Sequence, residues 1–236
     1  MEAGVQDELA RGARISAEVL VPLVIDLVHP RSVVDVGCGR GVWLEVFRAH
    51  GVEDVFGVDV ERDDLQIDVQ RFMAADLTEP LEVGRRFDLA ISLEVAEHLP
   101  PEAAETLVAS LAMLAPVVLF SAAIPRQMGE GRFHLNEQWP AYWAEQFERH
   151  GLRCIDAVRP RVWDRDEVRV WYVQNTLLYA TDQALAANPT LRAEHERRGG
   201  RPMAIVHPRM WERQRLREQV ATLQRENRRL KAELGR

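Results

Sequence analysis

The stretch that most constrains this fold is Val33-Val34-Asp35-Val36-Gly37-Cys38-Gly39-Arg40-Gly41-Val42-Trp43. It reads as a short apolar strand, a turn with glycine at every second position, and the start of an amphipathic helix. Glycine permits a positive φ, and without a Cβ the backbone can approach a ligand closely. The amides of such a turn, with the positive end of the next helix, face that ligand.

Acidic residues at strand ends follow the turn. Val55 to Val58 closes on Asp59, 18 residues after Gly41, the distance at which a carboxylate at the end of a second strand grips ribose hydroxyls. Phe72-Met73-Ala74-Ala75 ends in Asp76, and Phe87 to Glu94 is a fourth strand. Taken singly, Asp59 or Asp76 reads equally well as a solvated acid. The turn itself is Asp-x-Gly-x-Gly-x-Gly and departs from the Gly-x-Gly-x-x-Gly that serves a pyrophosphate.

In this order the motifs resemble those of the class I S-adenosylmethionine-dependent methyltransferases, over roughly residues 15 to 180. The resemblance implies a doubly wound, Rossmann-like α/β fold: a seven-stranded sheet whose last two strands, Leu152 to Ile155 and Thr176 to Tyr179, form an antiparallel hairpin. It implies S-adenosylmethionine as cofactor. Gly37, Gly39 and Gly41 would admit its amino-acid end, and Asp35 would order the turn or meet the ammonium. Asp59 would take the ribose hydroxyls, Asp76 with the backbone of Leu77 the adenine, and Glu94 would lie near the methyl. The Pro-Gly-Gly turn that many members carry before the fifth strand is absent; Pro116 leads directly into Val117 to Ser121.

Length suits one α/β domain with an appendage. Two cysteines, Cys38 and Cys154, imply no disulfide framework, and no apolar run is long enough to span a bilayer. With acidic residues rather than a secretory signal at the start, the expectation is a cytoplasmic protein. Residues 207–236 carry nine Lys/Arg against four Asp/Glu, +5, so the net −7 leaves −12 on residues 1–206. That acidic body argues against a nucleic-acid substrate, although a local basic groove is compatible with it.

Residues 1–13 are expected to fray. Ile15, Val19, Leu20, Leu23, Val24, Leu27 and Val28 then predict a helix that starts or kinks near Pro22 and ends at His29-Pro30. A helix follows the glycine turn up to His50-Gly51, residues 61–71 hold at most a loose turn, and Pro101 opens a helix carrying Leu107 and Leu111. Another helix carries Tyr142, Trp143 and Phe147. The aromatic residues from Trp139 to Tyr172 suit either core packing or a stacking wall for a sugar or aromatic acceptor.

Glu94, Glu97 and His98 fall beyond the carboxyl end of the fourth strand, where the methyl acceptor of such a sheet belongs. An activated methyl donor leaves the protein two tasks, alignment and removal of the acceptor's proton. His98 and His134 are the candidate bases. Glu94, Glu97, His98 and His134 could also converge on Mg²⁺ or Mn²⁺, which would lower the pKa of an acceptor hydroxyl. The Glu-x-x-Glu-His pattern is similar to the metal-binding segment of ubiquinone-pathway O-methyltransferases and small-RNA 3′-end methyltransferases. That resemblance gives the fourth ligand role to His134. A metal-free Glu-His in the same loop is the alternative.

The expected organisation is a methyltransferase domain over residues 1–182, a linker over 183–208 and a coiled-coil helix over 209–236. Leu216, Leu223 and Leu230 recur as d positions, and Val220, Asn227 and Leu234 as a positions. The single buried asparagine favours a parallel pair, with Glu226 meeting Lys231 and Glu212 meeting Arg217 of the partner. The partner is a second copy or another coiled-coil protein; a helix folded back on its own domain is the alternative. Transfer to a hydroxyl of a small molecule or glycan is the function expected, with N-methylation and a non-catalytic scaffold as alternatives.

Overall fold

The computed structural model describes residues 3–61, 63–127, 134–198 and 205–234. Its core is a seven-stranded sheet of β1 (Ser32–Val36), β2 (Asp54–Asp59), β3 (Phe72–Ala74), β4 (Leu89–Leu93), β5 (Val117–Ser121), β6 (Leu152–Ile155) and β7 (Leu177–Thr181). The strand order is β3-β2-β1-β4-β5-β7-β6. The first five strands are mutually parallel, while β7 runs antiparallel to both β5 and β6, so the expected C-terminal hairpin is present.

Helices cover both faces, which is why β1, β4 and β5 are mostly apolar and buried along their length instead of on alternate residues. On one face α1 (Ala3–Val28) and α2 (Val42–Ala49) bury Leu20, Val24 and Phe47 against Val33, Leu89, Ile91 and Leu119. On the other, α3 (Ala104–Leu114) and α4 (Pro140–Arg149) bury Leu107, Leu111, Trp143 and Phe147 against Val34, Ala90, Val118 and Phe120. Phe147 stacks on Tyr179 with ring centroids 4.0 Å apart, and Phe120 stands edge-on to Phe147 at 5.2 Å. Core packing therefore accounts for this part of the aromatic concentration.

Three expectations are corrected, for the first helix, for the segment expected to fray and for the linker. The first helix begins at Ala3, so it does not start near Pro22 but runs through it to Val28. The described part of the segment expected to fray is helical and touches the body: Glu8 pairs with Arg169 at 3.5 Å, and Gly12 is buried. The segment between β6 and β7 holds two short helices, α5 (Arg159–Val162) and α6 (Val170–Asn175).

Finally, residues 183–198 of the expected linker lie in two helices packed on the core, α7 (Asp182–Ala187) and α8 (Pro189–Arg198). Leu185 and Leu191 are buried, and Asn188 caps α8 by accepting from Leu191 N (3.1 Å) while donating to Leu27 O of α1 (2.8 Å). Polar composition hid this, because a helix needs only one apolar residue per turn to dock.

The last helix, α9 (Pro208–Leu234), starts at a fixed point. His207 N donates to Gln174 Oε1, Gln174 Nε2 donates to Ile205 O, and His207 Nε2 lies 2.8 Å from Trp163 O. Met210 is fully buried, and Arg213, Gln214, Arg217 and Ala221 follow it on the face turned to the body. Leu216, Val220 and Leu223 stay more than half exposed. The helix thus folds back by one face and leaves its heptad seam open. Arg217, expected to meet a partner's Glu212, instead donates to Gln127 O of its own chain. The side chains of Asn227, Leu230 and Lys231 lie outside the described residues.

Candidate active site

Parallel strands put their carboxyl ends along one edge, and the order reverses at β1, between β2 and β4. The glycine turn leaves the sheet at this switch point, the position at which doubly wound sheets bind their ligands. Gly37 N and Cys38 N both donate to Val58 O, and Gly41 N closes the turn on Cys38 O.

The three glycines do different work. A Cβ on Gly37 would lie 2.4 Å from Val95 Cγ2 and one on Gly41 2.8 Å from Ile67 Cγ2, so both are small because protein packs against them. At Gly39 the φ is +54° and a Cβ would meet nothing within 4 Å. Only this glycine opens on free space, which corrects the expectation that all three admit a ligand.

Asp35 and Asp59 flank the turn. Asp59 accepts from Gly39 N (2.6 Å) and Val60 N (2.7 Å), holding the turn from the end of β2. Asp35 is buried, its Oδ2 finds no donor among the described residues, and burial, reinforced by the Asp59 charge, pushes its carboxyl well above the usual range. Asp76 is exposed in a turn of its own, with Oδ1 accepting from Thr78 N and Thr78 Oγ1, which lowers its pKa. Leu77 beside it is buried. These residues border the same edge of the sheet, in the order expected.

The acceptor side is built after β4 and β5. Glu94 has φ +57° and Arg126 φ +71°, conformations that cost a non-glycine residue of order 1 kcal/mol and that surrounding contacts must hold. The contacts are visible at Glu94: Asn175 Nδ2 donates to Oε1 (3.0 Å) and Gln127 Nε2 to Oε2 (2.6 Å), while its N donates to Ser121 O. Burial raises the Glu94 pKa, and these hydrogen bonds oppose the rise.

Glu97 is buried on a one-turn helix, Ala96–His98, and neither carboxylate oxygen meets a donor among the described residues. Burial, then the Glu94 charge, pushes its pKa well above the usual range. Its backbone carbonyl accepts from Leu135 N and Asn136 N, pinning the next loop so that His134 stands beside His98, ring centroids 4.8 Å apart. His134 Nδ1 lies 2.8 Å from Glu137 Oε1, which aims Nε2 away from that carboxylate. Burial lowers the His134 pKa; Glu137 opposes this, and the charges of His98 and Arg217 add to it.

Ligand atoms of Glu97, His98 and His134 all lie within 4.8 Å of one another. Glu94, expected to be one of the four ligands, stands outside this group with its carboxylate held by Asn175 and Gln127. Those two amides and Glu137 are the site residues that sequence reasoning missed. The His-x-x-Glu spacing of His134 and Glu137 was a usable signal; Asn175, far along the chain, gave none. Tyr172 of α6 is likewise at the site, its ring edge-on to Trp43 at 5.1 Å, with burial raising its pKa and the Glu94 charge adding to the rise.

Residues 10–171 match the family model described as a methyltransferase domain. No curated protein matches the sequence. Among solved structures the fold is similar to DesVI of Streptomyces venezuelae, 18% identical over 77% of this chain and 98% of that one, with a TM-score of 0.56. It is similar to magnesium protoporphyrin IX methyltransferase of Synechocystis, solved with bound SAH: 19% identity, 75% and 87% coverage, TM-score 0.54. It also resembles the sugar N-methyltransferase KedS8 of a Streptoalloteichus species, at 16% identity over 70% and 86% with a TM-score of 0.54. A family match over most of the chain, on a sheet of this order with its glycine turn at the switch point, makes this protein a member of the class I S-adenosylmethionine-dependent methyltransferases.

Proposed function

We propose that this enzyme methylates a hydroxyl of a small molecule or glycan, with His134 taking the proton. The observation that carries the reading is the convergence of Glu97, His98 and His134 beside the glycine turn. When bound, S-adenosylmethionine supplies an activated methyl group for in-line displacement. The chain fits it: the open space at Gly39, the orphaned Oδ2 of buried Asp35 as a seat for an ammonium, and Asp59 at the ribose position. A scaffold role confined to α9 accounts for none of these. Asp76 and the backbone of Leu77 are assigned to the adenine.

Glu94, held by Asn175 and Gln127, fixes the floor on which the acceptor stands. His134, kept neutral near pH 7 by burial and oriented by Glu137, accepts the hydroxyl proton at Nε2. Alternatively, Glu97, His98 and His134 form a donor set suited to Mg²⁺ or Mn²⁺; His134 Nε2 would then be a ligand, and the metal would lower the pKa of the hydroxyl in place of a His134 base. An amine acceptor is the second reading: the orphaned Glu97 carboxylate would suit an ammonium, and KedS8 is described as a sugar N-methyltransferase.

Calorimetric titration with S-adenosylhomocysteine tests the cofactor site. Binding weakened about tenfold or more by Asp59→Ala, the loss of two charge-assisted hydrogen bonds, is expected; no binding to folded wild type would overturn the reading. Methyl transfer to panels of hydroxyl and amine acceptors, with chelator and with added Mg²⁺ or Mn²⁺, then separates the alternatives. Full turnover in excess chelator would remove the metal and leave His134 as the base.

A further inference from the structure

Three arginines gather at the mouth of the site with little to neutralise them. Arg169 precedes α6, and Arg213 and Arg217 lie on the inward face of α9. The Cζ atoms of Arg169 and Arg213 stand 5.6 and 5.3 Å from the ring centroid of Trp171. Arg217 donates to Gln127 O, whose side chain in turn holds Glu94. The carboxylate nearest to Arg169 is the exposed Glu8, at 3.5 Å. Arg213 makes no hydrogen bond or ion pair among the described residues. Its pKa is lowered, first by burial and then by the charges of Arg217 and Arg169.

Partly burying a guanidinium beside two others is unfavourable unless something negative joins them. Two of the three, Arg213 and Arg217, come from the basic end of a chain whose remainder is strongly acidic, and they join Arg169 of that remainder. A helix tethered only by packing would have turned such residues to solvent, where α9 keeps Arg215.

We propose that Arg169, Arg213 and Arg217, floored by Trp171, bind an anionic group, a phosphate or carboxylate, carried by the methyl acceptor. The proposal rests on the methyltransferase reading and narrows its substrate class to acidic small molecules. Guanidinium forks match phosphate and carboxylate oxygens two at a time, and Arg217 joins this seat to Glu94 through Gln127. The acceptor is thereby held by its charged end while its hydroxyl reaches His134.

The test uses the full chain saturated with S-adenosylhomocysteine, whose own carboxylate then occupies its place. Inorganic phosphate is titrated at low salt into wild type, Arg213→Gln and Arg217→Gln. Expected are saturable, salt-sensitive binding to wild type and a loss of about tenfold or more in each variant, with S-adenosylhomocysteine affinity unchanged. Melting temperature without phosphate should hold or rise in Arg213→Gln, because a like charge is removed; a merely structural arginine would give a fall.

No phosphate binding, or binding that both variants retain, overturns the proposal. So does a loss of S-adenosylhomocysteine affinity in the variants, which would assign the cluster to the cofactor. A single-stranded oligoribonucleotide that binds wild type far more tightly than phosphate would replace the small acceptor with a nucleic acid. Failure of S-adenosylhomocysteine to bind at all is a separate outcome, and it would fall on the underlying reading.

Discussion

The Asp35 carboxyl at the foot of the glycine turn keeps its proton to higher pH in the folded chain than in the unfolded one. Stability from such a group is complete below the unfolded pKa, about 3.9, and is lost as pH rises through the raised folded value. Asp35→Asn should therefore flatten the fall in melting temperature above pH 4 and melt higher than wild type at pH 7. It should also bind S-adenosylhomocysteine more weakly; thermal melts across pH with parallel titration check both. A variant that melts lower at pH 7 would count against a buried, unsatisfied carboxyl. Gly37→Ala and Gly39→Ala divide in a similar way. The first forces Val95 aside and should cost about 1–3 kcal/mol of stability by denaturant titration. The second meets no protein atom, so beyond the roughly 1 kcal/mol that its φ of +54° costs an alanine, its effect belongs on cofactor affinity. The sequence showed the three glycines as equals, because spacing records neither which neighbour fills the space nor which space is left.

Among the elements, the sheet and its strand ends were readable because both faces are buried and the strands are mostly apolar. The helices lying on the sheet were less so. Residues 3–13 and 182–198 carry too few apolar residues to show a period, yet single contacts hold them, buried Leu191 for α8 and the Glu8–Arg169 pair for α1. Asn188→Ala removes both the cap of α8 and its tie to Leu27 O, and should cost about 1–2 kcal/mol by denaturant titration. An unchanged midpoint would mean that α8 rests on the body without stabilising it. The Glu94 support was unreadable for another reason. Gln127 and Asn175 come from separate segments, and only the fold brings their amides to one carboxylate.

For the whole molecule, the open question in α9 is what covers Leu216, Val220 and Leu223. The docked face runs through Met210, Arg213 and Arg217, and the seam points elsewhere on the same helix, so folding back and pairing are compatible. A parallel pair through this seam predicts a dimer in sedimentation equilibrium and a monomer for Leu223→Glu. The helix should stay docked in that variant, because its inward face is untouched. A wild type that sediments as a monomer would end the homodimer expectation and direct attention to a different coiled-coil protein.

The route of the chain after β7 also sets an order in time. β7 runs against the parallel strands, so Thr181 leaves the sheet at the edge opposite the site. The chain must return along α7 and α8 before His207 meets Gln174 and Trp163. On a ribosome, where domains fold from the amino end as they emerge, all seven strands and the glycine turn are made before any of α9. A nascent or C-terminally shortened chain would thus own a complete cofactor cradle and no wall at its mouth. If Arg213 and Arg217 seat the acceptor as proposed, the ability to hold the donor is synthesised first and the ability to choose the acceptor last.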